Sequence, residues 1–204
     1  MNVHLMRHPA REGEAGRCIG QTDVKLSAEG RASLPLLCEQ ASRVKPTRVV
    51  SSDLQRCRIL AEEIAARQNL KVTVEPTWRE LHFGAWENRT WNDIQKDDGT
   101  NLAAWMTDFV EVAPPGGESF RQLQKRALGA LDRLERDPGS TVVVTTHAGV
   151  IRSLLCAFSD MPLTRIFEVE VPYGSLTHLR WNEGKWTLVS EITVTAHSVQ
   201  EDIR

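Results

Sequence analysis

The sequence predicts an α/β protein on a mostly parallel sheet. Short apolar runs that stop abruptly, helical patterns between them, and enough chain for a full core point to it. The first run, residues 2–6, is apolar and reads as a buried strand. Residues 27–43 look helical, and Pro35 inside them predicts a kink or a helix that starts there. Residues 48–51 are a second buried strand. Residues 55–68 place Ile59, Leu60, Ile64 and Ala65 on one helical face, with Asp53 available as cap. Residues 71–75 alternate around Val72 and Val74 until Pro76 ends the strand. Residues 84–118 hold Trp86, Trp91, Trp105 and the turn Pro114-Pro115-Gly116-Gly117. They read as a helical excursion that could form a lid, and Thr90 with Asp93 starts a helix within it. Residues 120–136 space Phe120, Leu123, Ala127, Leu131 and Leu134 for a helix, opened by a Ser119/Gln122 capping box. Residues 141–146 are a third buried strand, 150–158 a helix, and 175–181 with 185–194 a hairpin around Asn182-Glu183-Gly184. The expectation is a single domain over 1–204.

Two of these strands end on histidine. The first stops at Arg7-His8-Pro9 and the third at His147-Ala148-Gly149. In open α/β sheets ligands bind at the carboxyl ends of strands. A guanidinium there neutralises and orients a tetrahedral oxyanion, and an imidazole attacks or shuttles a proton. A lone Arg-His pair on a surface is ordinarily two solvated side chains; the second strand-end histidine gives this one weight.

Composition narrows the partners. Net charge is −2, so no basic footprint points to nucleic acid. No apolar stretch approaches a membrane span, and the start of the chain lacks a signal-peptide core, so a cytoplasmic location is expected. The cysteines Cys18, Cys38, Cys57 and Cys156 lack C-x-x-C spacing and read as free thiols, not a zinc site. No metal or cofactor is called for.

Further motifs follow in order: Ser51-Ser52-Asp53-Leu54-Gln55-Arg56, the stretch from Arg79-Glu80 to Trp86-Glu87, Pro115-Gly116-Gly117-Glu118-Ser119, and Thr146-His147-Ala148-Gly149-Val150-Ile151-Arg152. Together with Arg7-His8 they resemble the histidine phosphatase superfamily, in its cofactor-independent branch related to phosphoglycerate mutase. The resemblance spans roughly residues 1–160. It implies a three-layer sandwich with a mostly parallel central sheet and a helical insertion near the active site. It also implies that His8 is the nucleophile, that Arg7, Arg56 and His147 hold the phosphoryl oxygens, and that Glu80 protonates the leaving oxygen. Physics supports those roles, because phosphoryl transfer asks for charge neutralisation and in-line positioning. Two arginines and a protonated His147 are expected to neutralise the dianion without a metal. His8 must be neutral, its other ring nitrogen donating to a backbone carbonyl. Glu75, Glu87 and Glu118 are rival acids, and His82 reads as structural or as a rim residue. The sequence departs from the family pattern at Pro9, Ala10, Arg11 and Asn88.

The stretch Gly16 to Leu26 resembles the loop of α-ribazole phosphatases, with Ile19 in place of a tyrosine. This implies a small-molecule partner, α-ribazole 5′-phosphate, in cobalamin nucleotide-loop assembly. Gly20, Gln21 and Ala148 join Arg7, Arg56 and His147 as expected substrate contacts, and Ile19 with a tryptophan as an apolar wall. Arg11 and Arg17 are candidates to touch the substrate, with a solvated role the stronger expectation. The rivals are a broad-specificity or sugar-phosphate phosphatase and a non-catalytic phosphate-binding module. A homodimer is compatible with any of these.

Overall fold

The predicted strands assemble into one six-stranded sheet in a computed structural model that describes residues 1–13, 16–134 and 136–189. They are β1 (Asn2–Arg7), β2 (Arg48–Ser51), β3 (Val72–Val74), β4 (Thr141–Thr146), β5 (Leu176–Asn182) and β6 (Lys185–Leu188). Their order across the sheet is β3-β2-β4-β1-β5-β6. The first four pair in parallel, while β5 runs antiparallel to β1 and β6 to β5. The sheet is therefore mostly parallel, as expected.

Both faces of the sheet are covered, which makes three layers. The alternation of a strand sends successive side chains to opposite faces. Val3 and Leu5 of β1 accordingly join the larger core and Met6 the smaller one. The smaller core closes with α1 (Ala28–Arg43) and α2 (Gln55–Gln68). The larger closes with α3 (Trp91–Thr107), α4 (Phe120–Asp132) and α5 (Ala148–Phe158).

Three local expectations are corrected. Helix α1 neither starts nor stops at Pro35; it runs from a Ser27 cap through the proline. Pro35 and Arg31 are both exposed, so water can satisfy the Arg31 carbonyl that the missing N–H leaves over. Asp53 does not cap α2. Its carboxylate pairs with Arg79, and Asp23 from the preceding loop accepts the Gln55 N–H at 2.8 Å. Helix α4 ends at Asp132, four residues before the expected end, although the Ser119/Gln122 capping box forms as read.

The stretch 84–118 is not set apart from the body: Trp86, Ile94, Leu102 and Trp105 are buried in the larger core. Helix α3 breaks its helical geometry at Asp98, whose carboxylate accepts the Trp86 indole N–H at 2.8 Å. The β5–β6 turn has positive φ at Glu183 and Gly184, the geometry of a two-residue hairpin. The expected hairpin residues 190–194 lie outside the described residues. No helix among the described residues is long and apolar enough to cross a membrane.

Where β1 meets β5, His4 and His178 face each other and stack, with ring centroids 4.3 Å apart. Burial, and then the neighbouring His178, lowers the His4 pKa to about 4. The unfolded chain takes up that proton near pH ~6.5, so it binds more protons than the fold as acidity rises. Stability is therefore lost as the pH falls from about 6.5 toward the folded value of about 4. Replacing His4 by Phe should flatten the fall in melting temperature across that window. An unchanged slope would remove His4 from this account.

Candidate active site

The register of two parallel strands builds the centre of the site. Arg7 stands opposite Thr146, and the His8 N–H donates to the Thr146 carbonyl at 3.0 Å. His8 and His147 thus leave the sheet side by side, both buried, with ring centroids 5.2 Å apart. His8 Nδ1 lies 2.7 Å from the Pro9 carbonyl. A carbonyl only accepts, so Nδ1 carries the proton and Nε2 keeps its lone pair. Burial, then Arg56 and Arg7, hold the His8 pKa well below the usual histidine range, against a smaller opposing effect of the Pro9 bond. The ring is neutral and nucleophilic at neutral pH.

The same forces correct the expectation that His147 is protonated. Burial first, then Arg56, His8 and Arg7, push its pKa well below the usual range. Arg56 Nε donates to His147 Nδ1 at 3.3 Å, which places the ring proton on Nε2, 3.0 Å from Ser52 Oγ. His147 is a neutral donor, and the positive charge rests on the arginines. Cys57 Sγ also packs 3.3 Å from that Nε2.

Arg56 opens α2 and is buried; it reaches back to the carbonyls of Thr22 at 2.9 Å and Gly20 at 2.6 Å. Among the described residues neither Arg7 nor Arg56 forms an ion pair. Desolvation lowers both guanidinium pKa values, so an anion arriving between them relieves a real cost.

The loop that receives Arg56 is held by Glu87. Its carboxylate accepts the backbone N–H groups of Gly20, Gln21, Thr22 and Phe83 and the Thr22 hydroxyl. Burial pushes its pKa up, but the Thr22 hydroxyl and the N–H groups outweigh it and hold the carboxylate ionised. Gly20 must be glycine, because a Cβ there would lie 2.1 Å from the Leu81 carbonyl oxygen. The expected substrate contacts Gly20 and Gln21 therefore spend their N–H groups on Glu87. The Gln21 side chain spans Arg79 and the Glu80 carbonyl, so both residues hold the loop. The sequence reading named Glu87 only as a rival acid. Its signal was a loop with several backbone donors and no acceptor of its own.

Glu80 is fixed at both carboxylate oxygens. Oε1 accepts the Leu81 N–H at 2.9 Å, and Oε2 accepts the Gly149 N–H at 3.1 Å in the first turn of α5. Beneath it Arg126 of α4 donates to the carbonyls of Thr77, Arg79 and Glu80 and pairs with Glu118. Glu118 exchanges hydrogen bonds with the His82 backbone, accepting its N–H and donating to its carbonyl. Arg126 was also missed; on a helix pattern it is one more polar-face cation.

Glu80 lines a cleft of about 110 Å³ with Ala148 and Gly149, so Ala148 sits where a substrate contact was expected. This cleft shares Ile19, Phe83, Phe120, Arg152 and Phe167 with a second of about 190 Å³. Trp91 and Trp105 line the second, together with Arg11 and Arg17. Ile19, Trp91 and Trp105 all border this second cleft.

The buried Arg56 and the part-buried Arg7 beside two neutral imidazoles make an arrangement that suits a phosphoryl dianion, the chemistry of the phosphatase class. The family model described as histidine phosphatase superfamily (branch 1) matches residues 3–192, and the chain belongs to that superfamily. It is 27% identical over 191 residues to an adenosylcobalamin/α-ribazole phosphatase of Salmonella typhimurium, covering 93% of this chain and 90% of that one. The crystal structure of the α-ribazole phosphatase from Shigella flexneri is similar with a TM-score of 0.83 at 26% identity, covering 98% of this chain and 99% of that one. A mycobacterial glucosyl-3-phosphoglycerate phosphatase is similar with a TM-score of 0.77 at 27% identity, covering 96% and 99%.

Gly149 tests the placement of Glu80. A Cβ at Gly149 would lie 2.3 Å from Glu80 Oε1, so Gly149→Ala must push the carboxylate aside. Loss of a positioned general acid costs about 10²–10⁴-fold. Gly149→Ala should slow alkyl phosphates by about 10²-fold and aryl phosphates, whose leaving groups need little proton, by far less. Equal losses on both would detach Glu80 from proton donation.

Proposed function

We propose that the protein is a metal-independent phosphomonoesterase that works through a phosphohistidine on His8. The observation that carries this reading is the His8 Nε2 lone pair, fixed by the Pro9 bond and flanked by Arg7 and Arg56. In the first step Nε2 attacks phosphorus in line, the bond to the leaving oxygen breaks, and Glu80 gives that oxygen its proton. In the second step Glu80 takes a proton from water, the water oxygen attacks phosphorus, and the P–N bond breaks to release phosphate and neutral His8. The arginines supply the charge stabilisation that another enzyme draws from a metal.

The leaving group departs past Glu80 into the aromatic cleft. The flat, apolar base of a riboside suits the aromatic side chains of that cleft, and the relatives named α-ribazole phosphatase support α-ribazole 5′-phosphate as the ester. A second reading draws on Arg11, Arg17 and Arg152 in the same cleft. They suit a leaving group with its own negative charge, as in phosphorylated sugar acids, and the glucosyl-3-phosphoglycerate phosphatase similarity points the same way.

Two outcomes follow. His8→Ala should remain folded and lose essentially all turnover, and the wild-type enzyme should keep its rate after exhaustive chelation; activity in His8→Ala, or recovery only on adding a divalent metal, would defeat the mechanism. In direct competition, α-ribazole 5′-phosphate should exceed 3-phosphoglycerate and simple sugar phosphates in kcat/KM by more than tenfold, a gap of only about 1.4 kcal/mol. A preference for the phosphorylated acids would select the second reading.

A further inference from the structure

We propose that Tyr173, the chain's one tyrosine, is a positioning residue for Arg7: its ring face fixes the guanidinium in the orientation that meets the phosphoryl oxygens. The Arg7 Cζ lies 3.9 Å from the centre of the Tyr173 ring. Arg7 Nη1 donates to the Val171 carbonyl at 2.5 Å, while its buried Nε has no hydrogen-bond partner among the described residues. A planar cation against a ring face keeps its edge free for the bidentate hydrogen bonds that an oxyanion accepts.

The segment around Tyr173 is built to deliver it there. The Gly174 N–H donates to the Arg7 carbonyl and the Arg7 N–H to the Ser175 carbonyl, both at 3.1 Å. Gly174 has φ +72°, and a Cβ on it would lie 2.4 Å from Leu37 Cδ2, so the turn is seated against α1. The tyrosine itself stays 45% exposed, so burial alone is a poor reason for its position. Its neighbours in the site are Arg7 and the His8 ring, 5.5 Å away between centroids. The ring also shields one face of the guanidinium from water, which strengthens its pull on a phosphoryl oxygen.

The inference rests on Arg7 being a phosphoryl ligand, and the experiment separates the two. A single tyrosine gives a single fluorine NMR resonance after replacement by 3-fluorotyrosine, and orthovanadate serves as the probe. In the wild-type enzyme that resonance should shift on saturation with vanadate. Tyr173→Phe should keep the vanadate inhibition constant, since the ring face acts and not the hydroxyl. Tyr173→Leu should weaken vanadate and lower kcat/KM by about tenfold. The loss should be equal for aryl and alkyl esters, because both present the same phosphoryl group. A resonance unmoved by saturating vanadate overturns the proposal. So does a folded Tyr173→Leu enzyme within about twofold of wild type, or a loss confined to one ester class. If Tyr173→Leu does not fold, the fluorine shift decides. A wild-type enzyme that neither binds vanadate nor hydrolyses esters overturns the phosphatase reading first, and this inference with it.

Discussion

Parallel pairing of β1 with β4, in a register that sets Arg7 opposite Thr146, is the constraint on which the site depends. Both strands are buried along their length, and a slip of one residue would send every side chain to the opposite layer. With that register in place both histidines emerge side by side at the carboxyl ends of two central strands. The neighbouring β2 adds its own end, where the Ser52 N–H donates to the Thr145 carbonyl and Ser52 Oγ meets His147. Helix α2 then starts where Arg56 can turn back onto the His147 ring.

The electrostatics follow from that crowding. Burial first, and then the two neighbouring cations, keep both imidazoles neutral, and a neutral ring is what a nucleophile requires. Positive potential in a desolvated pocket then favours the dianion. Carboxylates stay at the margin with separate tasks. Glu87 ties down the loop whose carbonyls receive Arg56, Glu118 with Arg126 holds the backbone that carries Glu80, and Glu80 alone of the three lines the cleft.

What was legible in the sequence was local or periodic. The strands, the capping box at Ser119 and Gln122, and the histidines at the ends of β1 and β4 all carry signals within a few residues. What was not legible depends on partners far along the chain. Asp53 looks like a helix cap until Arg79 arrives beside it and Asp23 takes the cap's place. Glu87 and Arg126 look like solvated charges until the fold sets backbone donors and carbonyls around them. The charge state of His147 could not be read at all, since it is set by burial and by Arg56, which lies 91 residues away.

The central claim is that His8 carries the phosphoryl group between two half-reactions. Rapid-quench labelling with a radiolabelled ester, followed by peptide mapping, tests it most directly. The account predicts a label on His8 that survives base and is lost in acid, as a phosphoramidate is. A label on Cys57 or His147, or no protein-bound label under single-turnover conditions, would contradict it.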